Sequence, residues 1–104
     1  MNRRILRIEL KVDDQARELP AGKIVHFSDY RKKHITHEQN RVEVWVEAHI
    51  EGESLLAGTI GTQQVQVFGT GQPIPDGAEH LASCLAGQFV WHLYRLPETP
   101  TGDS

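Results

Sequence analysis

Apolar and polar residues alternate along the beginning of the chain. Leu6, Ile8, Leu10 and Val12 are interleaved with Arg7, Glu9 and Lys11. A period of two places one set on a buried face and the other in water, which predicts a half-buried strand over residues 5–12. Asp13-Asp14 interrupts the run, Ala16 to Leu19 allows a short return strand, and Pro20-Ala21-Gly22 predicts a turn. A second apolar run, with Ile24, Val25 and Phe27, predicts a strand over 23–28. The clearest alternation follows the polar stretch Asp29 to Asn40. Val42, Val44, Val46 and Ala48 share one face, and Glu43, Trp45, Glu47 and His49 the other.

Two further strands are predicted over 63–68, with Val65 and Val67 facing in, and over 88–96, where Phe89-Val90-Trp91-His92-Leu93-Tyr94 is strongly β-prone. Between them, Gly69 to Gly77 is a dense run of turn formers. Residues 79–86 fit either a strand joined tightly to the next at Ala86-Gly87 or a short helix, because Leu81, Cys84 and Leu85 also match a helical stripe. Six or seven short strands, and no helix long enough for a parallel crossover, predict an all-β fold. The expected form is a small antiparallel β-sandwich or partly closed barrel. Ile8, Leu10, Val44, Val46, Val67 and Trp91 are expected to build its core, with residues 1–96 as one domain and 97–104 as a flexible tail.

Composition narrows the functional classes. The chain has 104 residues, 38% hydrophobic and 24% charged, which suits one ordinary domain. A single cysteine, Cys84, rules out an internal disulfide, and its apolar neighbours predict an inert thiol. No apolar run resembles a signal peptide or a membrane span, so a cytoplasmic protein is expected, with no membrane partner. Residues 1–33 carry nine of the eleven Lys and Arg against five acids, a balance of +4, while the remainder stands at −7. The basic residues alternate along a strand and cluster only at Arg31-Lys32-Lys33, which argues against a nucleic-acid surface.

Candidate chemistry is sparse. His34 and His37 have a spacing that a metal would accept, with His49 or Glu38 as a third ligand, but a diagnostic zinc pattern is absent. No metal is expected to be needed for folding, and no cofactor is implied. Phe68-Gly69-Thr70-Gly71-Gln72-Pro73 resembles a phosphate loop only superficially: the third glycine is missing and Pro73 prevents a following helix. Ser28, Ser54 and Ser83 lack a nucleophile-elbow context. The reading is therefore non-enzymatic.

Three segments taken together resemble a family of short proteins of actinobacterial phages and prophages. They are Leu19-Pro20-Ala21-Gly22-Lys23-Ile24, Phe68 to Ile74, and Gly87-Gln88-Phe89-Val90-Trp91-His92-Leu93-Tyr94, with Val44-Trp45 matching a mid-strand tryptophan. The longer insert at 28–40 departs from that pattern. The resemblance implies a phage context, in which small proteins bind and redirect a host protein. Tyr30, Arg31, Lys32, Lys33 and Trp45 are the expected partner-binding residues, since aromatic and Arg side chains anchor interfaces. The rival expectation is a small-ligand or nucleotide sponge using Gly69, Thr70, Gly71, Gln72, Trp91 and His92. An architectural assembly protein is a third, and a homo-oligomer is left open.

Overall fold

A computed structural model describes residues 2–30, 41–50 and 61–97. Seven strands are present there: β1 (Asn2–Lys11), β2 (Arg17–Pro20), β3 (Gly22–Asp29), β4 (Arg41–Ile50), β5 (Thr62–Gly69), β6 (Glu79–Ala86) and β7 (Phe89–Arg95). They form two antiparallel sheets, a three-stranded sheet A in the order β1-β4-β3 and a four-stranded sheet B in the order β2-β5-β7-β6. The fold is a small β-sandwich, not closed into a barrel. No helix occurs among the described residues, and none there is long and apolar enough to cross a membrane. The stretch 79–86 is a strand, joined to β7 by the two-residue turn Gly87-Gln88.

The alternating residues meet between the sheets. Leu10, Phe27, Val42, Val44, Val46 and Ala48 of sheet A pack with Leu19, Val65, Val67 and Leu93 of sheet B. Of the expected core, Leu10, Val44, Val46 and Val67 are buried, while Ile8 and Trp91 are only partly so and pack against its margin. β4 is central in sheet A, and the inward side chains Val42, Val44, Val46 and Ala48 are completely inaccessible.

The segment after β1 departs from the expected return strand. β2 pairs with β5 instead of β1, and Pro20-Ala21-Gly22 carries the chain from sheet B to sheet A. The reason lies in the backbone. β2 is an edge strand, where the missing N–H of Pro20 is tolerated. Gly22 has φ +155° and lies so close to β4 that a Cβ there would drive into the carbonyl oxygen of Glu47. The crossing is held by the Gln63 side chain, whose Nε2 donates to the carbonyls of Pro20 (2.9 Å) and Gly22 (3.1 Å). Arg95 continues this network, donating to Gln63 Oε1 at 3.0 Å and to Glu79 Oε1 at 2.7 Å. Gly22, Gln63 and Arg95 of this network line an open groove of about 930 Å³ beside β2.

Candidate functional site

Two outer faces carry the residues singled out by sequence. On sheet A, Glu43, Trp45 and Glu47 of β4 point away from the core. Trp45 pairs with Arg7 on one side and His26 on the other. It is half-buried, its ring lies 4.5 Å from the His26 ring, and its Nε1 donates to Glu43 Oε1 at 3.3 Å. Glu9 and Glu43 stand directly opposite each other, a repulsive pairing in isolation. Arg7 offsets it, reaching Glu9 at 3.3 Å and Glu43 at 3.9 Å, and Arg41 approaches Glu9 at 3.8 Å. Arg3 and Glu47 extend the lattice at 3.7 Å.

β3 and β4 form a hairpin whose connection leaves at Tyr30 and returns at Arg41, with Arg41 5.9 Å above the Tyr30 ring. Tyr30 is buried at 7% exposure, which corrects its expected role as a surface anchor. Burying an aromatic ring under a guanidinium secures the base of the connection and leaves little of that ring for a partner. Arg31, Lys32 and Lys33 lie outside the described residues, as do His34, His37 and Glu38 and the tail from 98 onward. His49 is exposed on β4.

The expected ligand loop at the far end of sheet B divides between two faces. Gly69 pairs with Trp91, and Trp91 turns inward to the core margin, where Phe89 stacks on it at 5.4 Å. His92 is the next residue of the strand, so it points to the opposite face. Trp91 and His92 therefore cannot line one ligand site. Thr70 and Gly71 occupy the corners of a turn closed by the Gln72 N–H donating to the Gly69 carbonyl at 3.1 Å. Gly71, at φ +93°, supplies the left-handed third position of a type II turn. Gln72 then folds back: its Oε1 accepts the Gly69 N–H, and its Nε2 donates to Asp14 Oδ1 at 3.1 Å. The motif's first free amide is consumed within the turn, and Gln72 ties the loop to the β1–β2 connection. Anion cradling would need that amide.

His92 belongs instead to a chain of hydrogen bonds that sequence reading missed. Its Nε2 meets Thr70 Oγ1 at 2.9 Å, and its Nδ1 meets Ser83 Oγ at 2.7 Å. Ser83 Oγ also meets His80 Nε2 at 2.8 Å, and the His80 ring lies edge-on to Tyr94 at 5.3 Å. The turn expected at Ala86-Gly87 would set Ser83 opposite Val90; the turn lies one residue later, at Gly87-Gln88, and sets Ser83 opposite His92. The place of His80 was not legible in the sequence either. A β-bulge at Leu81 shifts the register so that His80 opposes Tyr94 and turns outward. Beneath this face, Cys84 is half-buried toward the core; burial first, and the Asp29 carboxylate second, push its thiol up to about 11. That agrees with an inert thiol.

The sequence model of a family described as Domain of unknown function (DUF7352) matches residues 1–102. No curated protein and no solved structure matches the chain.

Proposed function

The chain belongs to the DUF7352 family, and from its surface chemistry we propose that it is a non-enzymatic module that binds a protein partner through the outer face of sheet A and the 31–40 connection. The observation that carries this reading is the half-buried Trp45 at the centre of a charged lattice. At roughly 3.3 Å per residue, Trp45 stands about 13 Å along β4 from the base of that connection. A rigid sheet presenting an amphipathic indole, on a strand that follows the basic run Arg31-Lys32-Lys33 in sequence, suits a scaffold that carries a variable recognition segment. The resemblance to actinobacterial phage proteins supports a host protein as the partner, met in the host cytoplasm. Nucleic acid is disfavoured because Arg3, Arg7 and Arg41 are each engaged with Glu47, Glu9 or Glu43.

Pull-down from host lysate with mass spectrometry tests the proposal when wild type is run beside Trp45→Ala and a triple charge reversal at Arg31, Lys32 and Lys33. A partner retained by wild type and lost by both variants is expected. A partner retained by both removes this face from consideration. A thermal-shift screen of nucleotides, run in parallel, tests the small-ligand alternative, for which no stabilisation is expected.

A further inference from the structure

We propose that the outer face of sheet B binds a late first-row divalent transition-metal ion between His80 and His92. Two imidazole nitrogens from adjacent strands converge on one point, since His80 Nε2 and His92 Nδ1 lie 2.8 and 2.7 Å from the same Ser83 Oγ. A hydroxyl donates a single proton, so only one of these nitrogens accepts from Ser83, and the other must bring its own N–H. A metal ion removes that competition by taking both lone pairs. Zinc and its neighbours bond imidazole nitrogen at about 2.0–2.1 Å. The rings stand 6.4 Å apart, centroid to centroid, on the outer side of the sheet, and both nitrogens must turn from the Ser83 hydroxyl toward a shared ion.

The supporting atoms are those a metal-binding histidine ordinarily has. Thr70 Oγ1 meets the remote nitrogen of His92 at 2.9 Å, and by accepting its N–H it would orient the ring with the Nδ1 lone pair available to an ion. The bulge at Leu81 is what places His80 beside His92, because an unbroken register would set His80 opposite Arg95 and turn it toward the core. Arg95, the nearest described cation along these strands, is neutralised by Glu79 at 2.7 Å. Among the described residues no group of three or more His, Cys, Asp or Glu is placed to hold a metal. The site therefore offers two nitrogens, the neutral Ser83 oxygen and open positions for water. Imidazole donors select copper, nickel and zinc over magnesium or calcium, with copper held tightest. Such an ion is exchangeable and is not required for folding.

Titration of the full chain with Cu²⁺ and with Zn²⁺ near pH 7.5, followed by calorimetry, tests the site. Wild type is expected to bind one equivalent at this face, with His80→Gln and His92→Gln each weakening that event by at least about tenfold and Thr70→Val by about tenfold. His34→Gln/His37→Gln serves as the reference and is expected to keep it. Line broadening by substoichiometric Cu²⁺ should reach the His80 and His92 ring signals before those of the other four histidines. Circular dichroism confirms that each variant is folded. Absence of saturable Cu²⁺ binding overturns the proposal. So does binding that survives His80→Gln and His92→Gln but disappears with His34→Gln/His37→Gln.

Discussion

The two outer faces of this sandwich solve the same problem with opposite chemistry. Sheet A covers its exposed side with a lattice of Arg and Glu around a tryptophan, whereas sheet B uses imidazole, hydroxyl and aromatic groups in one hydrogen-bonded chain. Both depend on the same backbone device. A bulge at Val25 brings His26 opposite Trp45, and a bulge at Leu81 brings His80 to the side of His92. Without its extra residue, each strand would aim that histidine inward. The difference lies in what the histidine finds. On sheet A it packs against an indole and leaves its neighbours to pair by charge. On sheet B it shares a hydroxyl with a second imidazole, and the convergence is itself a site.

The ion pairs of sheet A are mostly half-exposed and contribute at most about 1 kcal/mol each. Under the proposed function they would discriminate between partners, and along β1, an edge strand among the described residues, Arg3, Arg4, Arg7 and Lys11 discourage strand addition. Raised salt should accordingly weaken partner binding at sheet A and leave metal binding at sheet B nearly unchanged.

The comparison breaks most severely where the chain passes between the sheets. Gly22→Ala should cost about 3 kcal/mol or more, because a Cβ meets the Glu47 backbone and not a flexible side chain. Denaturant melts would show this, and a loss below about 1 kcal/mol would mean that β3 and β4 separate easily. Trp45→Ala comes next, at about 2 kcal/mol, since the indole is half-buried against His26 and loses one hydrogen bond. Partner affinity should fall with it. Equal stability of variant and wild type would make Trp45 a purely exposed anchor.

Cys84 sharpens the contrast between inner and outer faces. Its thiol is raised from 9.0 to about 11, so the protonated form is the one the fold favours. The stability this provides is complete below pH 9 and is lost as pH rises through about 11. Alkylation by iodoacetamide at pH 8 should run about a hundredfold slower than for a free cysteine, in proportion to the thiolate fraction. Rapid labelling would mean that β6 opens from the core. The smallest effect is expected from the triple charge reversal at Arg31, Lys32 and Lys33, about 0.5 kcal/mol or less per residue. A large drop in melting temperature would make that segment structural and withdraw it as a recognition loop.

Period-two alternation was enough to predict the strands that line the core. Val42, Val44, Val46 and Ala48 could face only one way, and that choice put Glu43, Trp45 and Glu47 on the outer face, where Glu43 is nonetheless buried at 2% exposure. The turn formers at 69–77 and at Gly87 likewise act locally, because their preferred dihedrals do not depend on the rest of the fold. Neither signal carries partner information. That β2 leaves β1 for β5, that Pro20 to Gly22 is a crossing and not a reversal, and that Tyr30 is sealed under Arg41 were decided by which sheet each strand could complete. The separation of Trp91 from His92 follows from strand geometry, yet it became meaningful only once Thr70 and Ser83 arrived from neighbouring strands. One extra residue at Leu81 has almost no signature in a sequence, since a bulge arises from the fit between two strands. It was nevertheless that fit which turned His80 outward and made two scattered histidines a pair.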